Sequence, residues 1–170
     1  MNDWNGRYKH PAFWIATGFG SGLLKPAPGT WGTLAAVLIA WPIAHLAGAW
    51  GVLAITILSV PIGIWAAQVY NERTGTADSG SIVIDEFSGM WIALLPQAFM
   101  MPGINQPGLW ILVSFILFRL LDIIKPWPIG WLDKNIKGGL GVMIDDIVAG
   151  VMAAIIMAIL LSHWGYGDLF

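Results

Sequence analysis

Long apolar stretches alternate with short polar ones along most of this chain. Leu34 to Leu46 is apolar, with Pro42 inside it. A polar hesitation follows at His45 to Gly48, and Ala49 to Ala67 is apolar again, with Pro61 as a candidate kink. The pattern predicts two membrane helices with a tight turn between them, a single bent span being the alternative. The first is short against the roughly 17–25 residues that a bilayer crossing needs, which tilt or local thinning accommodates. A third segment runs from Phe87 to Met100, a fourth from Leu109 to about Ile124 and a fifth from Ile147 to about Ser162. Turn chemistry stops two of them: Met101-Pro102-Gly103 after the third, and Lys125-Pro126-Trp127-Pro128 after the fourth. The polar stretches 68–80 and 130–146 are predicted loops. Residues 13–24 are aromatic and glycine-rich but too short for a span, which predicts an interfacial helix and turn at the headgroup layer.

Composition strengthens this picture. The 170 residues are 57% hydrophobic and 11% charged, where a soluble domain carries about 25% charged residues. Mean hydropathy is +0.72. The expectation is an all-α fold: one polytopic integral membrane helical bundle over residues 1–170, with about five membrane helices and an N-terminal interfacial segment. The net charge of −2 gives no basic field for nucleic acid. The absence of cysteine excludes disulfides, thiolate metal sites and cysteine nucleophiles. Residues 1–12 are polar and no small-residue cleavage pattern follows an early apolar core, so the membrane segments themselves are expected to direct insertion. In the five-span arrangement Arg7, Lys9, Lys25, Arg73, Arg119, Lys125, Lys134 and Lys137 fall on one side or at its edge. That positive-inside pattern predicts a cytoplasmic N-terminus, with the Gly29-Thr30 loop and the acidic clusters facing the cytoplasm.

Of ten acidic residues, five stand at three segment ends: Asp85-Glu86, Asp122 and Asp145-Asp146. Carboxylates there are costly unless hydrated, paired or bound to metal. Each cluster alone reads equally as a helix cap, a local ion pair or an interface anchor; the three together on one face read as a site. Arg119, Asp122 and Lys125 recur at three-residue spacing, so one acid shares a helix face with two cations. Lys25-Pro26-Ala27-Pro28-Gly29-Thr30-Trp31-Gly32-Thr33 is predicted as a compact loop, with Thr33 as N-cap of a helix from Leu34 that could accept phosphate. Hard oxygen ligands suit magnesium together with substrate phosphate. Arginine and lysine suit phosphate oxygens. His10, His45 and His163 are scattered, which argues against a histidine nucleophile.

The ordered set Pro28-Gly29-Thr30-Trp31-Gly32-Thr33, Ile84-Asp85-Glu86 with Gly89, Phe118-Arg119 with Asp122-Ile123, Lys125-Pro126-Trp127-Pro128, and Ile144-Asp145-Asp146 with Ala149-Gly150 resembles the phosphatidylglycerophosphatase A family. The resemblance runs from about Gly18 to Gly150. It implies a magnesium-dependent, multi-pass phosphatase of the bacterial inner membrane. Such an enzyme converts phosphatidylglycerophosphate and water to phosphatidylglycerol and phosphate. The expected roles are metal ligation by Asp85, Glu86, Asp122, Asp145 and Asp146, with Lys125 sharing the catalytic set. Phosphate contacts are expected from Lys25, Gly29, Thr30, Thr33, Arg119 and Lys125. Two rival readings exist: a transporter or channel with an acidic cation site, and a CDP-alcohol phosphotransferase-like enzyme. The longer aspartate-glycine-alanine-arginine signature of the latter is absent.

Overall fold

In the computed structural model, which describes residues 4, 6–76, 79–100 and 107–164, the polar N-terminus folds onto one end of a helical bundle. Helix α1 (Pro11–Ala16) starts with proline in its first turn, and His10 Nδ1 accepts from the Ala12 amide at 3.2 Å. A 3₁₀ segment, Gly18–Leu23, follows. Phe13 stacks on Tyr70, and Phe19, Leu23 and Leu24 stay exposed. The Val83 amide donates to the Ala16 carbonyl at 2.8 Å, which ties this segment to the chain entering the third long helix. The expected interfacial helix and turn are thus short helical pieces bound to the bundle's end.

The two apolar stretches around His45–Gly48 form α2 (Pro28–Thr74), which is interrupted at Gly48 (φ 62°, ψ −160°). A glycine tolerates this left-handed backbone, whereas other residues rarely adopt it. The two arms of α2 do not continue in line. Gly29 packs on Glu86 and Gly63 packs on Ile84, yet in a straight helix 29 and 63 would lie about 50 Å apart. The chain therefore turns back at Gly48, and the two arms run antiparallel. This agrees with the expected pair of helices joined by a tight turn, and not with the single bent span.

The boundaries differ from the sequence pattern in several places. Pro28 to Thr33 is the first turns of α2, because Pro28 occupies the first helical turn, where proline's fixed φ suits the helix. Thr33 is therefore inside the helix and not its N-cap; its hydroxyl donates to the Gly29 carbonyl at 2.8 Å. The second arm runs past Ala67 to Thr74 and ends where Gly75, at φ 71°, donates to the Asn71 carbonyl. Helix α3 (Ile84–Met100) begins early enough to hold Asp85 and Glu86 in its first turn. Helix α4 (Pro107–Ile124) matches the fourth segment. The stretch 130–146, expected as a loop, instead contains α5 (Ile129–Asn135) and the first two turns of α6 (Gly138–Trp164). Asp145 and Asp146 consequently lie within α6 rather than at its start. The expected turn at Met101–Gly103 and the C-terminal tail from residue 165 lie outside the described residues. No strand occurs among the described residues.

Helix α3 is the centre of the bundle and packs most extensively on α6 and α2. Ser88 donates to Ser59 at 2.8 Å, and the Trp91 indole donates to the Ala36 carbonyl at 2.8 Å, so each arm of α2 is bonded to α3. Trp110, near the start of α4, clusters with Met157 and Leu161, near the end of α6, so these two helices are antiparallel. Small residues set the closest approach. A Cβ on Gly150 would press on the Gly89 carbonyl, and one on Gly89 would lie 2.6 Å from the Asp146 carbonyl oxygen. Glycine lets two backbones meet in this way, and van der Waals packing then holds them. Two helices, Pro28–Thr74 and Gly138–His163, are long and apolar enough to cross a membrane. The bundle's outer surface is apolar, with Leu38, Trp50, Ile57, Leu112, Ile116 and Ile155 all exposed.

Gly150→Ala should lower stability by about 1–3 kcal/mol, the usual cost of overpacking a tight contact, read as a lower unfolding midpoint in detergent. Gly108→Ala, with open space around it, should leave the midpoint unchanged. Equal midpoints for both variants would contradict the packing described.

Candidate active site

The contact of α3 with α6 is what gathers the acids. Gly89 lies one turn beyond Asp85 and Glu86, and Gly150 lies one turn beyond Asp146. Closing the helices at the two glycines brings the carboxylates above them together. One oxygen each from Asp85, Glu86 and Asp146 falls within 4.8 Å of the others. The Glu86 amide donates to Asp85 Oδ1 at 3.0 Å, which orients that carboxylate in the first turn of α3. Asp122, on α4, lines the same cavity as Asp146.

Two cations stand beside the acids. Arg119 Nη1 lies 2.7 Å from Asp122 Oδ2 and 3.7 Å from Glu86 Oε1. It also donates to Thr33 Oγ1 at 3.4 Å. Thr33 is fully buried, so it steadies the guanidinium while its own hydroxyl proton goes to Gly29. Lys125 Nζ lies 2.7 Å from Asp145 Oδ2 and 2.8 Å from Asp133 Oδ1. Its backbone is left-handed, at φ 47°, a conformation uncommon for a residue with a side chain. Partial burial works against the Lys125 ammonium, but hydrogen bonds to Asp133 and Asp145 outweigh it and raise the pKa above the ordinary lysine value.

The five predicted acids thus divide by partner. Asp122 is held by Arg119 and Asp145 by Lys125, while Asp85, Glu86 and Asp146 form the close oxygen cluster. Glu86 Oε2, Asp145 Oδ1 and Asp146 Oδ2 are buried and accept no hydrogen bond from the protein. Buried carboxylate oxygens need a compensating partner. A hard divalent cation bound by carboxylates is a chemical match for this set.

These groups open on a cavity of about 810 Å³ lined by all five acids, Arg119, Lys125 and Gly29. A Cβ on Gly29 would press on the Glu86 carboxylate and lie 3.0 Å from the Arg119 guanidinium, so these two groups would have to shift. Of the other residues expected to contact phosphate, Lys25 and Thr30 are exposed and lie outside this lining, and Thr33 acts behind Arg119. The cavity also includes Asp133, Gln68, Lys134 and Lys137, which sequence reasoning left in loops or helix ends. Gln68 Oε1 accepts from the Gly139 amide at 2.8 Å and pins the start of α6 to α2. Asp133 carries a faint sequence signal, an acid eight positions beyond Lys125 in a stretch with helical Ile129 and Leu132 spacing. The prolines at 126 and 128 mask it.

Comparison with known proteins finds a matching family model and similar sequences. The family model "Phosphatidylglycerophosphatase A" matches residues 14–161. The Escherichia coli K12 protein named phosphatidylglycerophosphatase A is 41% identical over 163 residues, covering 96% of this chain and 91% of that one. The Haemophilus influenzae protein of the same name is 39% identical over 155 residues, covering 91% of each. A Bacteroides thetaiotaomicron protein, named as a candidate phosphatidylinositol-3-phosphatase, is 38% identical over 166 residues, covering 94% of this chain and 99% of that one. No solved structure matches the chain. The match thus extends over nearly the whole length, and the chain belongs to the phosphatidylglycerophosphatase A family.

Proposed function

We propose that this protein hydrolyses the terminal phosphomonoester of phosphatidylglycerophosphate, releasing phosphatidylglycerol and phosphate, with magnesium, at the cytoplasmic face of the bacterial inner membrane. The observation that carries this reading is the single cavity that joins five carboxylates, Arg119 and Lys125 at one end of an apolar bundle, in a member of this family. A phosphate at that depth can stay attached to acyl chains in the bilayer. Support for five crossings comes from the packing. The two arms of α2, then α3, α4 and α6, alternate in direction, and every lysine and arginine belongs to the end that carries the acids. Lysine and arginine concentrate on the cytoplasmic side of membrane proteins.

Asp85, Glu86 and Asp146 are the residues that would hold magnesium, with the unpartnered Glu86 Oε2 and Asp146 Oδ2 among the donors. Bound there, the ion would neutralise phosphate charge and make a water more acidic. Arg119 and Lys125 orient the phosphate through its oxygens and offset charge that develops on them during in-line attack. Asp122 and Asp145 keep these cations facing the cavity. Water adds to phosphorus, the bond from phosphorus to the glycerol oxygen breaks, and the leaving oxygen takes up a proton to become the lipid's alcohol. An ion channel fits less well, because Phe87, Met90 and Phe118 are fully buried between the helices just beyond the acids.

Phosphate release from phosphatidylglycerophosphate in detergent micelles tests the reading. It should require magnesium, stop with EDTA and disappear in folded Asp85→Asn and Asp146→Asn variants. Preferential release from phosphatidylinositol 3-phosphate, or equal release with EDTA, would contradict it. Arg119→Lys keeps the charge but loses the planar fork, so kcat/KM should fall about 10–100-fold. An unchanged kcat/KM would remove Arg119 from phosphate recognition.

A further inference from the structure

The Lys125 ammonium is shared between two acids of different standing. Asp145 is buried and neighbours the oxygen cluster, whereas Asp133 is 38% exposed, on α5, and belongs to no part of that cluster. Asp133 lies eight residues from Lys125 in sequence but 2.8 Å from it in space. Local structure enforces the pairing. The chain leaves α4 through the left-handed Lys125, and a Cβ on Gly130 would lie 2.7 Å from the Lys125 carbonyl oxygen. Ile129 is fully buried, and Gly141 packs on the Ile136 carbonyl. Helix α5 is thus braced at both ends, and Lys137 Nζ donates to the Asp133 backbone carbonyl at 3.2 Å.

Lysine reaches its partner on a flexible four-carbon stem, and immobilising such a side chain weakens binding. One anchor leaves the ammonium free to swing about that contact. Two anchors on different helices define its position before a phosphate arrives. We propose that Asp133 is the positioning residue for Lys125, holding its ammonium against Asp145 at the cavity wall in the place where a phosphate oxygen is received. This rests on the phosphatase reading above. Asp133 is no part of the oxygen cluster; it acts through Lys125.

The test is a double-mutant cycle with Asp133→Asn, Lys125→Met and the double variant, joined by Asp133→Glu. Three quantities are read: KM and kcat for phosphatidylglycerophosphate, the inhibition constant of inorganic phosphate, and the unfolding midpoint in detergent. Asp133→Asn should raise KM and the phosphate inhibition constant about tenfold, with a smaller change in kcat. Asp133→Glu should recover most of that loss. In the Lys125→Met background Asp133→Asn should add little, because the two residues act as one unit. An unchanged phosphate inhibition constant in Asp133→Asn would overturn the proposal, whatever happens to the midpoint. So would losses that add in full across the cycle. A wild-type protein without phosphatase activity defeats the functional reading itself, whereas an active wild type indifferent to Asp133→Asn defeats only this one.

Discussion

The structure depends on one backbone contact, the meeting of α3 and α6 at Gly89 and Gly150. Neither position has room for a Cβ without displacing a carbonyl of the opposite helix. Between apolar helices in lipid there is no large hydrophobic gain from association, so close packing of small residues must supply it. Ala149 and Ala153 on α6 and Ala93 on α3 are fully buried and extend the same small-residue surface. One turn before each glycine stands a carboxylate. The same contact that holds the bundle together therefore forces Asp85 and Glu86 toward Asp146, an arrangement that like charges would otherwise resist.

That crowding gives the site its chemistry. Seven carboxylates and four cations line the cavity, and three buried carboxylate oxygens accept no hydrogen bond from the protein. The excess negative charge favours a divalent cation; in the proposed function that cation, together with Arg119 and Lys125, would make an acidic pocket one that receives a phosphate dianion. Gly29 contributes by absence, since a side chain there would occupy the space beside Glu86 and Arg119. Thr33 and Asp133 stand behind the two cations, one hydrogen-bonded to each. Arg119 and Lys125 are each held by a residue of another element of the bundle, and this suits electrostatic stabilisation that needs no rearrangement during reaction.

The apolar stretches made the all-helical class and the reversal near Gly48 legible, because a left-handed glycine after a polar hesitation is a local signal. The convergence of Asp85-Glu86, Asp122 and Asp145-Asp146 also followed from their placement at segment ends. Helix starts were less visible. Pro28 and the Gly138-Gly139 pair read as loop chemistry, but proline suits a first helical turn, and Gly139 is enclosed by the Ile64 carbonyl and Gln68, so tertiary contacts recruit both into helices. Thr33 consequently changes from an expected cap to a support for Arg119. The roles of Gln68 and Asp133 arise from contacts over 71 and 8 residues, and a lone polar residue carries no mark of such a partner.

The central claim, that the close contact of α3 and α6 builds a divalent-cation site from Asp85, Glu86 and Asp146, is tested most directly by manganese binding. Electron paramagnetic resonance on the purified protein in detergent would follow manganese titration without substrate. The account predicts a bound ion that magnesium displaces and that Asp146→Asn weakens sharply, while the variant unfolds at the wild-type midpoint or above. Absence of bound manganese, or binding that Asp146→Asn leaves unchanged, would contradict it.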